Sequence, residues 1–497
     1  MPTYTTTIEQ ALPFAFTPVQ QDLIIIVGNS LAVANETGVK FCLKVSLIDT
    51  TVIGNFKTTP NNEGYGVFDV SSIVTNYVSA DNEAVGKSQY KEYGAKGLDR
   101  FPLHIIDKYS LQTKALRQIQ FDAYTEYTDS DGVVVQTNSA FGGFHNFFNG
   151  YVKETDKLSF SSSLTNFGTG AAVNGGFGYD TEAFKLKLNY DPPHKFLSNS
   201  PSIQWATRND YGTMAFFPKW QGDAFTSTLG LQNHVHAYRV ITYTGLNATG
   251  SQLSVIDIDR TYLNGAYDGN SSFTDFLDIE KELLIYFGAF PANLYSASST
   301  FASDLDTKSR MQSYTVHLID ESGEPLTLTE IKIINILCPT LKGYEPIRLA
   351  WLNQWGTWDY FTFNQKSTKT ISTKGSTYNQ LGGDWNKRTF YPKGYKGGKK
   401  SFRVNATEKI KMNTDFITEE HSEWFEELIN SPEVYIIKGW ESPRHITNTN
   451  TFDSLNTYAT PVRLTTTSFT KKTVANDKLI QYTFEVEKSK TLNTQSI

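Results

Sequence analysis

YEPIRLAWLNQWGTWDYFTFNQKS, residues 344–367, is the densest aromatic stretch of this sequence. Ile347, Leu349 and Trp351 alternate with a basic and a small residue, which is the period of a half-buried strand. Residues 353–356 (NQWG) follow as a turn, with a glycine where a left-handed backbone is often needed. The chain then returns through further aromatic residues. This pattern predicts a β-hairpin with an aromatic core.

The hairpin contains no residue that resembles a nucleophile, a metal ligand or a phosphate-binding group, so we interpret it as architectural. A helix near 419–430 has the same character, because Trp424 and Phe425 lie on one apolar face. Thr418 is positioned to cap this helix, and Pro432 ends it. We assign a structural or assembly role to Trp351, Trp355, Trp358, Trp424 and Phe425.

Length and composition predict a multi-domain β protein. A chain of 497 residues is long enough for two to four domains, by a typical domain size of about 150 residues. Aromatic residues make up 14% of the chain and methionines number only 4, a bias that favours pleated sheets. We therefore expect a mainly β fold of antiparallel β-sandwiches, with long loops and one short C-terminal amphipathic helix.

Turn signals and composition shifts suggest three domains. Residues 1–190 are predicted to form an N-terminal β-sandwich-like domain with a Gly-rich insertion near 138–180. Within it, the DSDG string at 129–132 is interpreted as a hairpin turn rather than a calcium loop, because strand-like runs flank it. Residues 191–343 are predicted to form a second β-sandwich-like domain, and residues 344–497 a C-terminal β module.

The cysteines and the N-terminus argue against several classes of protein. Cys42 and Cys338 both sit in apolar, strand-like runs, so we expect two buried thiols rather than a disulfide or a zinc site. The N-terminus lacks the basic and apolar regions of a secretory signal, and no apolar run near it is long enough to cross a membrane. We therefore predict no membrane insertion.

The sequence indicates catalytic or metal-binding groups only weakly. His234 and His236 would point to one side of a strand, which suits a metal ion, but the sequence identifies no third ligand. Carboxylates of the kind that glycosidases pair are Asp257, Asp259, Asp275 and Asp278. A structural role is the more ordinary explanation for these residues, and recognised catalytic motifs are missing from the sequence. We predict a protein that is not an enzyme and uses no cofactor and no metal.

A basic stretch follows the hairpin. Residues 366–403 contain ten Lys and Arg residues against a single acid, Asp384, with aromatic residues between them. One interpretation is a loop that contacts nucleic acid or lipopolysaccharide, since cations and stacking rings suit phosphorylated partners. The interpretation that we favour is a long exposed loop, or an arm that packs on a neighbouring subunit. Candidate contact residues are Lys387, Arg388, Lys396, Lys399 and Lys400.

Three segments together resemble a known family. They are EPIRLAWLNQWGTWDYFTFNQK at 345–366, DFITEEHSEWFEELINSPEVYII at 415–437 and NDKLIQYTFEVE at 476–487. Their order is similar to that in virion tail structural proteins of crAss-like and related Bacteroidetes-infecting phages. FDVSSIVTNY at 68–77 fits the same pattern, whereas residues 80–340 match only in general style.

This resemblance implies a non-enzymatic tail subunit, a ring, hub or tube-like component between the capsid or portal and the host-contacting parts. Such a subunit assembles into a symmetric oligomer by contacts that close a ring. The implied partners are copies of itself, other tail proteins and phage DNA passing through the lumen. The implied location is the virion tail, after synthesis in the host bacterial cytoplasm. The alternatives are a receptor- or glycan-binding tail protein and a tail-borne glycan hydrolase using Asp257 and Asp259.

Overall fold

The structure is a computed structural model, and the description below refers to part of the chain. The described residues are 4–10, 12, 16–47, 50–80, 103–106, 109–112, 115–151, 196–216, 237–259, 284–306, 311–319, 330–337, 343–384, 388–389, 391–438, 459–466, 468–472 and 480–490.

Strands dominate the described residues, which confirms the mainly β prediction. In chain order, the strands are β1 Thr7–Gln10, β2 Phe16–Gln20, β3 Ile24–Gly28, β4 Thr37–Leu47, β5 Val52–Thr58, β6 Tyr65–Asp69, β7 Tyr109–Gln112, β8 Leu116–Thr128, β9 Val134–Gln136, β10 Ala140–Tyr151, β11 Ile203–Thr207, β12 Thr213–Phe216 and β13 Ala237–Tyr243. They continue as β14 Gln252–Asp259, β15 Leu284–Gly288, β16 Ser313–Ile319, β17 Lys332–Leu337, β18 Ile347–Leu352, β19 Trp358–Phe363, β20 Thr368–Gln380, β21 Gly383–Asp384, β22 Tyr391–Pro392, β23 Gly398–Asn413, β24 Val434–Ile437, β25 Ala459–Leu464 and β26 Thr483–Lys488.

The helices are short. They are α1 Ser30–Asn35, α2 Ser71–Thr75, α3 Pro291–Ala297, α4 Ser299–Asp306 and α5 Glu420–Asn430. The predicted C-terminal helix is α5. The apolar pattern of residues 70–77 also predicts a short helix, which is α2. Among the described helices, α1, α3 and α4 were not predicted, because helices of about two turns carry too little periodicity to stand out from strand-rich surroundings.

The chain forms two compact units. Unit 1 comprises Met1–Leu337, Leu352–Asp359 and Gly439–Thr451. Unit 2 comprises Cys338–Trp351, Tyr360–Lys438 and Phe452–Ile497.

Unit 1 begins with a two-sheet sandwich. One sheet has the order β1-β3-β6 and the other the order β2-β10-β8-β4-β5, with β9 paired to β8. Ile25 and Val27 of β3 share one buried hydrophobic cluster with Phe41, Leu43 and Phe121 of the larger sheet. The pairing is antiparallel except between β2 and β10, which run parallel. The DSDG segment forms the turn between β8 and β9, as predicted.

Unit 1 also contains a second pair of sheets, with the orders β11-β17-β16-β13-β14 and β12-β15-β7. The hydroxyl of Tyr109 in β7 donates to the carbonyl of Ile258 (2.6 Å) and accepts from the amide of Tyr238 (3.2 Å). The rings of Tyr238 and Phe287 pack with centroids 4.3 Å apart. Aromatic side chains therefore supply both packing and hydrogen bonds in this core.

Two features of unit 1 differ from the predicted organisation. Strand β7 comes from the predicted first domain, yet it pairs with β15, which comes from the predicted second. The start of the predicted Gly-rich insertion is strand β10, and its Phe147 is buried in the core of the sandwich. The glycines there belong to a register shift between Phe141 and Phe144, where Gly143 has a φ of 90°. The predicted boundary at 190/191 lies outside the described residues.

Unit 2 is built on a seven-stranded sheet with the order β19-β18-β24-β25-β26-β23-β20. Helix α5 packs on this sheet, because Trp424, Phe425 and Leu428 on its apolar face join the same buried cluster as Trp351 and Met412 of the strands. The hairpin of the opening segment supplies β18 and β19, as predicted.

The tip of that hairpin belongs to unit 1. Asn353 organises the turn: its Oδ1 accepts from the amides of Trp355 and Thr357, both at 3.0 Å, and its Nδ2 donates to the carbonyl of Leu197 at 2.8 Å. Gly356 has a φ of 73°, so the predicted left-handed glycine is confirmed. Trp355 and Trp358 both lie within unit 1, although the predicted C-terminal module at 344–497 included them.

Candidate assembly surface

Strands β20 and β23 form a long two-stranded arm. They pair from Thr368↔Lys411 to Gln380↔Gly398, a length of about 40 Å at roughly 3.3 Å per residue. Of the residues in β23, only 409–413 pair with strand β26. Among the described strands, residues 398–408 therefore have β20 as their sole neighbour, and the arm is a ribbon that extends beyond the sheet.

Local sequence explains why this basic stretch forms strands. Strand β20 is rich in Thr, together with Ile371 and Tyr378, and β-branched and aromatic residues favour a pleated backbone. At the far end, Gly383 and Asp384 pair with β22 to make a small second ribbon. Where the chain returns into β23, Gly397 has a φ of 100°, a conformation that glycine adopts without a steric clash. We name residues 366–413 the arm.

The two sides of the arm differ in chemistry. On one side the pairs Ile371↔Glu408, Thr373↔Ala406 and Gly375↔Val404 lead along the same face of β23 to the buried side chains of Ile410 and Met412. This apolar side therefore continues the core-facing side of the sheet beyond the core. Outside the core, this side carries Ile371, Thr373, Val404 and Ala406, together with Glu408, which forms an ion pair with Lys488 at 2.6 Å.

The opposite side is basic. The pairs Lys374↔Asn405, Ser376↔Arg403 and Tyr378↔Lys400 share this face. The guanidinium of Arg403 donates from Nε to the side chain of Asn405 (2.8 Å), which fixes its head above the ribbon. One face of the arm is therefore more apolar and the other more basic, a difference that a fully solvated segment does not require.

Large apolar side chains on the arm are exposed. The exposed fractions are 62% for Ile371, 52% for Phe402 and 41% for Val404. At the far end, Tyr391 is 59% and Tyr395 is 77% exposed. Single exposed apolar residues are ordinary on protein surfaces, but several on one narrow ribbon indicate a contact surface.

The candidate basic residues lie on this arm. Arg388, Lys396 and Lys399 are exposed, Lys400 is half-buried, and Lys387 lies outside the described residues. The ammonium of Lys396 stands 5.9 Å from the ring centroid of Tyr395. At the base of the arm, Lys369 forms an ion pair with Glu345 at 2.6 Å. In the part of the chain that the structure describes, Arg388, Lys374, Lys396, Lys399, Lys400 and Arg403 form no ion pair.

The aromatic candidates lie inside the two units, away from any surface. Trp351 and Trp424 are 0% and 2% exposed, and Phe425 is fully buried beside them in unit 2. Trp355 and Trp358 are buried in unit 1, where the ring of Trp358 packs edge-on against His104 at 5.0 Å. These five residues therefore stabilise the fold of a single chain, and they offer nothing for a partner to contact.

The start of α5 differs from the predicted cap. The structure places Glu419 at the cap position, and Thr418 instead makes a hydrogen bond between its hydroxyl and Nδ1 of His421 (2.8 Å). His421 is surrounded by Phe361, Trp424 and Phe425. Burial lowers the pKa of His421 to about 4, so the ring is neutral at physiological pH.

One candidate carboxylate is already engaged. Asp257 accepts two hydrogen bonds from Arg239, at 2.6 Å and 2.8 Å, across the β13–β14 pair. His317 on β16 lies on the other side of Arg239 in register, and its Nδ1 is buried without a partner. Burial, together with the Arg239 charge, lowers the pKa of His317. Sequence analysis missed Arg239 and His317, because only strand register brings them beside Asp257.

Most of the remaining candidates lie in parts of the chain that the structure does not describe. His234, His236, Asp275, Asp278 and Cys338 lie outside the described residues, as does the side chain of Asp259. Burial raises the pKa of Cys42 to about 11, so this thiol stays protonated. The described residues contain no cluster of three or more His, Cys, Asp or Glu side chains that could hold a metal ion. None of their helices is long and apolar enough to cross a membrane.

Comparisons with known proteins do not assign the chain to a family. No protein-family model matches the sequence, and no curated protein matches it.

Proposed function

We propose that this chain is a non-enzymatic structural subunit of a bacteriophage tail, a ring, hub or tube-like component of a symmetric oligomer. The observation that carries the proposal is the arm, a ribbon about 40 Å long at roughly 3.3 Å per residue, which leaves the sheet of unit 2 with apolar and basic sides exposed. A two-stranded ribbon alone in water is marginally stable, so an extended one fits a subunit whose neighbours support it.

The resemblance to tail proteins of crAss-like phages supports the same proposal, because two of its segments supply strands and the helix of unit 2. The 345–366 segment forms the hairpin, and the 415–437 segment forms α5 and β24. The proposed partners are copies of this chain, other tail proteins and DNA in the lumen. The proposed location is the virion tail, reached after synthesis in the bacterial cytoplasm.

Immunogold electron microscopy of purified particles tests this function. Antibodies raised against the purified chain should label the tail of particles whose genome encodes it, and mass spectrometry should find the chain in those particles at several copies each. An antibody against a capsid protein of the same particles serves as the positional control. Particles that lack the chain, or that carry label only on the capsid, would contradict the proposal.

Exposed tyrosines favour a second candidate, a glycan-binding tail protein. Tyr391 and Tyr395 stand 59% and 77% exposed at the far end of the arm, where rings are free to stack on sugars. Glycan arrays probed with the chain and with a Tyr391→Ser, Tyr395→Ser variant test it. Binding that the variant loses would favour this candidate over a purely structural role.

The hydrolase alternative stays a prediction, with less support. Its carboxylate Asp257 is paired with Arg239, which donates a hydrogen bond to each of the two carboxylate oxygens. Incubation of host polysaccharide with the purified chain tests it, since shortened glycans would establish an enzymatic function.

A further inference from the structure

The arm and the rest of the chain carry opposite charges. The arm, residues 366–413, holds twelve cations and two acids, a charge of +10. Since the whole chain carries −6, the remaining residues carry −16. The arm and the rest of the chain therefore carry net charges of opposite sign, which favours contact between the arm of one copy and another copy.

The basic and apolar sides of the arm together indicate which kind of molecule the arm contacts. A nucleic acid would engage the basic side of Lys374 and Arg403 through phosphates, and would leave Ile371 and Val404 on the opposite side in water. A protein surface with a cleft can pair carboxylates with the first side and bury the second. The chemistry of the two sides together thus favours protein over nucleic acid as the occupant.

We propose that the arm of one copy docks on an acidic surface of a second copy, with Lys374 and Arg403 against carboxylates and Ile371 and Val404 buried. The inference rests on the proposed function and names the partner of its contact surface. Because the arm and its receiving surface are different parts of the chain, the contact is heterologous. Repetition of such a contact closes a ring or extends a filament.

Removal of the arm is the first test. Replacing residues 374–405 with Asn-Gly joins the directly paired residues Thr373 and Ala406 through a two-residue turn and leaves the strand bases intact. In analytical ultracentrifugation, the full chain should self-associate with rising concentration and the armless variant should remain monomeric. Circular dichroism and the melting temperature of the variant should match those of the full chain, which shows that the body remains folded.

Charge reversal tests the basic side. Lys374→Glu with Arg403→Glu should weaken self-association by about tenfold or more, because like charges would then face each other. The matched control is Lys438→Glu with Lys490→Glu, which changes the net charge equally at exposed positions of unit 2 outside the arm. The apolar side is tested by Ile371→Thr with Val404→Thr, which keeps β-branched residues in the ribbon. About 1 M salt should weaken the full chain's association, since the Debye length falls to roughly 3 Å.

Mixing tests the direction of the contact. An armless copy can receive an arm but cannot offer one, so an excess of it should cap the oligomers of the full chain at short lengths. Absence of any interaction between the two proteins would show that arms bind arms, and would overturn the proposal. Equal association of the armless and full chains, or a full chain that stays monomeric at its highest soluble concentration, would also overturn it.

A nucleic acid partner gives a distinct result. Arm-dependent binding of a single-stranded oligonucleotide, without arm-dependent self-association, would overturn the proposal in favour of a nucleic acid contact. The proposed tail function fails separately. If the chain self-associates through its arm but is missing from particles, that function is wrong and the inference stands. If the chain is present in particles but associates without its arm, the tail function stands and the inference is wrong.

Discussion

The indole rings of Trp351 and Trp424 lie with their centroids 4.8 Å apart and their planes at 50°, both buried in unit 2. This contact joins the first strand of the hairpin to helix α5, two segments that are 73 positions apart. Phe425 packs against both rings, so the three side chains form the centre of an aromatic core.

Trp424→Ala should lower the free energy of unfolding of unit 2 by about 3–5 kcal/mol, because it removes a large buried side chain and leaves a cavity. Phe402→Ala is the matched control, since Phe402 is 52% exposed on the arm and its loss should change stability by about 0.5 kcal/mol or less. Chemical denaturation followed by far-UV circular dichroism measures both. Similar midpoints for the two variants would contradict the assignment of Trp424 to the core.

Gly356→Ala should destabilise the tip of the hairpin severely. A Cβ at this position would overlap the carbonyl oxygen of Asn149, and the backbone φ is 73°. Gly132→Ala is the control, because Gly132 has a similar φ of 78° and open space around it. The control isolates the backbone cost of about 1–2 kcal/mol. Thermal melts should show a clearly larger loss for Gly356→Ala, and equal losses would show that the close approach is absent.

Stability should depend on pH through His421. The folded pKa is about 4 and the unfolded pKa about 6.5, so in this window the unfolded chain binds a proton that the folded chain does not. The stability from this group is complete above pH 6.5 and falls as pH decreases toward 4, by about 3 kcal/mol in all. Denaturation midpoints measured from pH 7 to 4 for the parent chain and His421→Gln should converge at low pH. Parallel curves would contradict the assignment.

Arg239→Gln should raise the pKa of His317. Burial lowers that pKa first, the Arg239 charge lowers it further, and Asp257 opposes both. Removing the cation leaves the carboxylate of Asp257 unbalanced nearby, so both changes favour the protonated imidazole. Two-dimensional NMR of the histidine ring resonances, followed against pH, measures the shift. Asp257→Asn is the opposing control and should lower the same pKa.

Local periodicity predicted elements whose signal lies within one segment. Alternation around Trp351 and the apolar face of Trp424 identified the hairpin and α5 within a few residues of their observed bounds. The arm's basic stretch gave no such signal as strands, because β20 is exposed along nearly its whole length and its alternation is between Lys, Thr and Ser. Exposed strands lack the apolar stripe on which such predictions depend.

Long-range pairing set the limits of the prediction. Strand β7 joins β15 across more than 170 residues, and Arg239 meets His317 only through the register of β13 and β16. Nothing in the local sequence of either partner marks its mate, since any strand edge of suitable length offers the same backbone groups. The turn chemistry of Asn353 was local, but the acceptor at Leu197 that it reaches was not.

The hairpin tip has a consequence for the modularity of the gene. The carbonyl of Leu197 accepts hydrogen bonds from both Asn353 and Thr357, two side chains encoded some 155 codons downstream, amid the sequence of unit 2. The residues of unit 1 are therefore not encoded by one contiguous segment of the gene. Recombination that exchanged the C-terminal third of the gene would replace this tip as well, so the two units must be inherited together or the loop at 353–357 must be preserved across the exchange.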